Sequence, residues 1–296
     1  MIKIWVDALR PKTLPASIVP VLIGTAMAYY DGSFNPLFFI LTLVCSLLIQ
    51  IITNFVNEIY DFKKGADGKD RVGPRRAVSA GLIKPLTMKV VSGTLVLITF
   101  LIGLYLVFTG GGIFILSIGV LSLFFAYAYT GGPYPLAYKG ISDIFVLIFF
   151  GVIAVTGTYY LQVHRLIPEV IIASLAPGFL SMNILGVNNI RDIDTDKMVG
   201  KITLAVRMGE KPAKVMYLII NLLAFIVPVI LYFSLENRYF LMPLLVFPIS
   251  LVICMNLFKS SGPKLNKILA QTGLLLILYG IAVSYTHLTL PTNREV

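Results

Sequence analysis

The chain has 296 residues, a mean hydropathy of +0.89 and only 13% charged residues, about half the share usual in soluble domains. That balance excludes an ordinary water-soluble domain and places the chain among membrane proteins. Its net charge of +10 raises nucleic-acid binding as an option, which the distribution of the charge removes.

The first element expected is a short amphipathic arm, Ile2–Leu9, with Trp5 as an interfacial anchor. Nine apolar runs follow, at roughly 14–30, 37–57, 90–109, 113–129, 143–161, 170–189, 213–233, 239–258 and 268–284. Each is near the ~20 residues a helix needs to cross a bilayer. They lack the alternation of barrel strands, so helices must satisfy their backbone groups in lipid. The first run resembles a signal peptide, with Lys3, Arg10 and Lys12 before it and Ala26-Met27-Ala28 near its end. Pro15 and Pro20 inside it, and eight further runs after it, favour a retained span. The last residues, Tyr285–Val296, are polar and read as translated adapter or vector sequence. The expectation is one all-α integral membrane domain over 1–284, with a non-native tail over 285–296.

With the N-terminus inside, 21 of the 24 Lys and Arg residues fall on one side of the membrane. Only Arg165, Arg238 and Arg294 fall on the other. This asymmetry predicts a multi-pass protein of the cytoplasmic membrane with its basic loops in the cytoplasm. It also accounts for the positive charge without nucleic acid. Cys45 and Cys254 lie in apolar runs and form no C-x-x-C pair, so they read as small buried residues. His164 and His287 are far in sequence from every acidic cluster. Histidine-ligated metal and a Ser-His-Asp triad are therefore not expected.

The pattern N-x-x-x-D occurs twice on the cytoplasmic side. Asn57 and Asp61 end the second run and lead to Asp67 and Asp70; Asn188 and Asp192 end the sixth and lead to Asp194 and Asp196. Residues four apart share a helix face. Asn57 with Asp61, and Asn188 with Asp192 and Asp196, would then offer hard oxygen ligands on two faces. Magnesium is commonly held by one or two carboxylates, with substrate phosphates and water completing its shell. Two opposed faces could thus hold a diphosphate. Any single Asp here could equally be a solvated loop residue; the duplication on one side is what favours a site. Arg71, Arg75 and Arg76 follow the first cluster, and Arg191 and Lys201 flank the second. Each also reads as an ordinary cytoplasmic-loop charge, with Arg191 and Lys201 the better phosphate candidates. Diphosphate ionisation leaves a carbocation, which aromatic faces can stabilise. Tyr60, Phe125, Tyr129, Tyr159 and Tyr160 are candidates for that role, although each alone reads more simply as packing.

These segments resemble the UbiA superfamily of membrane prenyltransferases. The resemblance runs from Arg10 to about Ser284. It is carried by Arg10-Pro11-Lys12-Thr13-Leu14-Pro15, the first acidic cluster, Tyr129-Thr130-Gly131-Gly132-Pro133, Tyr138-Lys139-Gly140, Gly157-Thr158-Tyr159-Tyr160, and the second cluster through Gly200-Lys201-Ile202-Thr203-Leu204. The Tyr-Thr-Gly-Gly-Pro segment is most similar to the branch acting on 1,4-dihydroxy-2-naphthoate. The resemblance implies nine transmembrane helices around a central cavity and a Mg2+-bound polyprenyl diphosphate within the membrane lipid. It implies Asp61, Asp67, Asp192 and Asp196 as metal ligands, and Asn57 and Asn188 as substrate-orienting groups. Arg191 and Lys201 are implied to stabilise the leaving diphosphate, with Lys139, Arg10 and Tyr129 as further substrate contacts. Glu58 departs from the Asp common at its position and receives no catalytic role. Hydroxybenzoate, homogentisate or a lipid glycerol remain alternative acceptors. A secondary transporter is a less favoured class, because its ionisable groups belong near mid-membrane. A CDP-alcohol phosphotransferase needs D-G-x-x-A-R, which Asp67-Gly68-Lys69-Asp70-Arg71 does not match.

Overall fold

The computed structural model describes residues 1–66 and 72–289, and among them every regular element is helical. The long or paired elements are α1 (Ile2–Leu9), α2 (Pro15–Tyr30), α3 (Pro36–Lys63), α4 (Pro85–Leu106), α5 (Gly112–Ala128), α6 (Ser142–Leu147), α7 (Ala154–Val163) and α8 (Pro168–Arg191). After them come α9 (Ile193–Met198), α10 (Leu204–Met208), α11 (Glu210–Leu235), α12 (Phe247–Phe258) and α13 (Leu265–Thr289). A π-helical turn, Ile148–Ile153, joins α6 to α7, and a 3₁₀ segment, Arg238–Val246, leads into α12.

Judged by length and apolarity, seven helices among the described residues can cross a membrane, or eight if the bent pair Ile2–Thr13 and Pro15–Tyr30 is one span. The expected nine is not reached on this measure. Two expected spans, 90–109 and 113–129, fall in one helical run of 44 residues, Pro85–Ala128. That run is not straight. Met88, near the start of α4, packs with Phe55 and Ile59 of α3, while Tyr127, at the end of α5, meets Tyr60 of α3. Both ends of the run thus reach the same end of α3, and the chain reverses at the Gly110–Gly112 break. The expected boundary at residue 284 is not a helix end, since α13 continues to Thr289; residues 290–296 lie outside the described residues.

Helix boundaries follow from local chemistry. Asn35 caps α3, its side-chain oxygen accepting from Leu37 N at 3.0 Å and Phe38 N at 3.2 Å, with Pro36 opening the helix. At the other end Gly65 takes φ +70°. There Gly65 N donates to Phe62 O and Ala66 N to Asp61 O, the paired bonds of a Schellman stop. The same stop closes α9: Gly200 has φ +69°, Gly200 N donates to Lys197 O, and Lys201 N donates to Asp196 O. Both acidic segments therefore end on a left-handed glycine four residues after an aspartate.

Helices α2, α7, α8, α11, α12 and α13 share the largest apolar core, built around residues such as Val187, Leu180, Tyr217 and Leu276. A smaller core joins α1, α3, α4 and the 77–83 segment. Helices α2 through α8 enclose a cavity, while α11–α13 stand behind α8 and contribute nothing to its wall. The close approach of α8 to the π-helical turn depends on two glycines. A Cβ on Gly178 would lie 2.7 Å from Leu147 Cδ1 and 3.1 Å from Gly151 Cα. Overpacking of this kind costs about 1–3 kcal/mol. We expect Gly178→Val to lower the apparent melting temperature in detergent by several degrees. Gly186→Ala, whose Cβ would meet nothing within 4 Å, should leave it unchanged.

Candidate functional site

The cavity has a volume of about 290 Å³. Its wall is mostly apolar, with Phe100, Phe125, Phe145, Phe149 and Phe150 among the lining residues. Polar groups gather where α3 and α8 approach their acidic ends: Arg10, Asn54, Asn57, Tyr129 and Asn188. Of the five aromatic candidates, Phe125 and Tyr129 line the cavity; Tyr60, Tyr159 and Tyr160 do not. Tyr60 hydrogen-bonds Tyr127 through their hydroxyls at 2.6 Å, and the Tyr159 hydroxyl donates to Asp31 at the far end of α2. Three-residue spacing could not separate these faces, because an all-apolar helix shows no periodic stripe to read.

Asn57 and Asp61 both lie on α3 and are buried. The Asn57 side-chain oxygen accepts from Thr130 Oγ1 at 2.5 Å. Asp61 Oδ1 accepts from the Tyr138 hydroxyl at 3.0 Å. Lys64 sits beside them, its ammonium 3.8 Å from the centre of the Tyr138 ring and donating to the Thr130 carbonyl at 3.3 Å. Burial pulls the Lys64 pKa down, and the Asp61 charge opposes that fall. Glu58, by contrast, is buried on another face and accepts from Val78 N at 3.2 Å. It anchors the basic segment. Asp67 and Arg71 lie outside the described residues.

On α8 the expected continuous face breaks at Asp192, where the backbone leaves helical geometry and α9 begins. The break is mild. Asp192 N still donates to Asn188 O at 3.1 Å, and Asp196 N to Asp192 O at 2.8 Å. The Asp192 carboxylate accepts two bonds from Arg191, Nε to Oδ1 at 2.8 Å and Nη2 to Oδ2 at 2.7 Å. Arg191 Nη1 donates to Asn266 Oδ1 at 2.8 Å. Arg191 is therefore an orienting group for Asp192 in this arrangement. Lys201 donates to Asp196 Oδ1 at 3.1 Å, and Asp196 Oδ2 is buried with no hydrogen-bond partner.

The two acidic segments face one another. Asp61 and Asp192 both act on Asp196, whose carboxyl is raised to about 6, first by burial and then by these like charges, against the pull of Lys201. Two loops brace this approach: Ile202 N donates to Tyr138 O at 3.4 Å, and Arg207 Nη2 to Lys139 O at 2.8 Å. Lys139 itself is exposed, its ammonium 6.0 Å from the Tyr134 ring centre. Arg10 takes a left-handed backbone at the end of α1 and reaches the cavity wall near Tyr129. Burial raises the Tyr129 phenol, and Asp143 and Asp61 add to the rise.

Among the described residues, no three acidic, His or Cys side chains form a group that could by itself hold a metal ion. The donors present are hard oxygens, and Asp196 offers an orphaned buried one. That set fits magnesium sharing its shell with substrate phosphate and water. Motif spacing could not have found Thr130, Tyr138 and Asn266, which come from the α5–α6 connection and from α13. Thr130 and Tyr138 lay in segments marked by the resemblance; Asn266 did not.

A family model described as the UbiA prenyltransferase family matches residues 17–285. The chain is 42% identical over 219 residues to the 1,4-dihydroxy-2-naphthoate octaprenyltransferase of Escherichia coli, covering 71% of this chain and 70% of that protein. It is 35% identical over 298 residues to the Haemophilus influenzae protein of the same name, covering 96% and 95%. A UbiA homologue from Archaeoglobus fulgidus bound to DMAPP and Mg2+ has the same fold, with a TM-score of 0.67 at 15% identity over 97% of this chain and 99% of that one.

A metal ion held at Asp196 would compete there with a proton. Because its metal-free carboxyl lies near 6, protons win increasingly as the pH falls through that value. Mn2+ affinity in the presence of inorganic diphosphate, followed by electron paramagnetic resonance, should weaken as pH falls from about 7 to about 5. Asp196→Asn should bind weakly throughout and lose that dependence.

Proposed function

The chain belongs to the UbiA prenyltransferase family, and on that premise we propose that it transfers a polyprenyl group from polyprenyl diphosphate to 1,4-dihydroxy-2-naphthoate. The observation that carries this reading is that Tyr138, bonded to Asp61, is also bonded to Ile202, next to the Lys201 that holds Asp196, so the two acidic segments meet beside an aromatic, apolar cavity. The acids lie at helix ends and the cavity runs along α3, α5 and α8. A diphosphate at the acids would direct its isoprenoid chain into apolar surroundings. The names borne by the Escherichia coli and Haemophilus influenzae relatives support the naphthoate acceptor.

In this reading Asp61, Asp67, Asp192 and Asp196 hold magnesium, which supplies charge neutralisation to the diphosphate when bound. Asn57 and Asn188 present side-chain amides from the cavity wall and orient the substrate oxygens. Lys201 lies in ion-pair contact with Asp196 and places positive charge where the leaving group accumulates negative charge. Arg191 holds the Asp192 carboxylate in plane. Lys139 and Arg10 stand farther out as additional cations.

The C–O bond between the allylic carbon and diphosphate breaks, and its electron pair leaves with the diphosphate. Phe125 and Tyr129 face the cation left behind. The ring carbon bearing the acceptor's carboxylate forms the new C–C bond. Carbon dioxide then departs, and the C–C electron pair it leaves restores the aromatic ring, giving demethylmenaquinol.

The 21 basic residues on the side of the acidic motifs support a cytoplasmic-face site in the cell membrane, open to soluble diphosphate and magnesium. The test is to incubate purified protein with polyprenyl diphosphate, the naphthoate and Mg2+. Prenylated product should form, and EDTA should abolish it. Asp61→Asn and Asp192→Asn should each lower kcat/KM by at least about 100-fold, as loss of a transition-state charge contact does. Near-normal turnover in either variant would sink the two-motif reading. If 4-hydroxybenzoate were prenylated in preference to the naphthoate, the acceptor assignment would fall while the diphosphate site stood.

A further inference from the structure

Asn266 occupies the second position of α13 and belongs to neither acidic motif. Its side chain nonetheless joins the surroundings of both. The oxygen accepts from Arg191 Nη1 at 2.8 Å, and the nitrogen donates to the Val72 carbonyl at 3.4 Å. Val72 lies on the segment that follows the first motif, and Arg191 directly precedes Asp192 in the second.

The arrangement matters because Arg191 and Asp192 are neighbours in sequence. A two-point bond between a guanidinium and a carboxylate fixes their relative plane. It does not fix that plane within the fold, since both groups ride on the same helix end. An anchor from another element is needed, and Asn266 supplies one from α13. Arg191 then spends Nε and Nη2 on Asp192 and Nη1 on Asn266. Its side chain is only 3% exposed, so water is a poor replacement for the lost partner.

We propose that Asn266 is a positioning residue for the diphosphate site: it locks Arg191, and through it the Asp192 carboxylate, in the orientation that receives the metal-bound substrate, and ties that carboxylate to the segment following the first motif. The proposal rests on the assignment of Asp192 to metal and diphosphate binding made above. Asn266 touches no reacting atom in this scheme. Its effect is to keep Asp192 from rotating when the ion arrives.

The test uses the full chain in detergent micelles, with Asn266→Ala, Asn266→Asp and Asn266→Thr. Two quantities are read: Mn2+ affinity with inorganic diphosphate, by electron paramagnetic resonance, and the Mg2+ concentration giving half-maximal turnover. Loss of a partner behind a metal ligand typically weakens metal binding about 10–100-fold. Asn266→Ala should therefore raise both metal concentrations by at least about tenfold, with the KM for the naphthoate unchanged. Asn266→Asp, which keeps an oxygen facing Arg191, should recover most of that loss. A wild-type metal dependence in Asn266→Ala overturns the proposal. So does an equal loss in Ala and Asp variants, which would mark a packing role alone. If the Ala variant does not yield monodisperse protein, Asn266→Thr carries the test: an intermediate shift supports the proposal and wild-type behaviour overturns it. The Mn2+ measurement needs no acceptor. Wild-type protein that binds Mn2+ and diphosphate but forms no prenylated naphthoate would defeat the proposed activity while leaving the role of Asn266 measurable.

Discussion

Carboxylates at the C-terminal ends of helices face the negative pole of the backbone dipole, which disfavours them. Asp61, in the last turn of α3, is so placed; Asp192 ends α8 but also caps the start of α9, and Asp196 lies in the first turn of α9, where the positive pole favours it. The fold adds a cost at Asp196, whose proton affinity is raised first by burial and then by the charges of Asp192 and Asp61. Such a cluster is stable only with cations around it. Arg191, Lys201 and Lys64 answer part of the charge, and the Tyr138 hydroxyl answers part of the lone-pair demand. A magnesium–diphosphate complex would answer the rest, which makes the repulsion a source of binding selectivity.

The rest of the architecture holds these helix ends in place. Matching Schellman stops at Gly65 and Gly200 turn the chain away just past Asp61 and Asp196. The loop carrying Tyr138 and Lys139 is bonded to the loop carrying Ile202 and Arg207. Behind α8 the large core formed with α11, α12 and α13 gives one wall of the site a rigid backing. The opposite wall, α3 to α5, rests on a smaller core and leaves room for the cavity. An apolar, aromatic space next to a charged mouth is the division that diphosphate ionisation requires.

The sequence repeat and the structural repeat are not the same object. In sequence the duplicated unit is N-x-x-x-D, at Asn57–Asp61 and Asn188–Asp192. In the fold the matched unit is an aspartate followed four residues later by a helix-ending glycine, at Asp61–Gly65 and Asp196–Gly200. The second segment therefore contains an extra turn, α9, and presents two carboxylates where the described part of the first presents one. Arg191 illustrates the same gap. Its position beside Asp192 was plain, but its role was read as a phosphate contact. Folding shows that each of its three guanidinium nitrogens also donates to Asp192 or Asn266.

Composition and pattern alone determined the membrane class, the two acidic motifs and their hard-oxygen chemistry. These are properties of residue type and short-range spacing, which the bilayer and the helix repeat translate directly into structure. Tertiary structure decided the reversal at Gly110–Gly112, the aromatic residues that line the cavity, and the partners of each carboxylate. Thr130, Tyr138 and Asn266 reach the site from 73, 77 and 75 positions away from the residues they bond. No periodicity records such a contact, because it depends on how packed helices bring distant segments together. In apolar helices that packing is set by small side-chain differences, Gly151 against Gly178 among them, which hydropathy averages away.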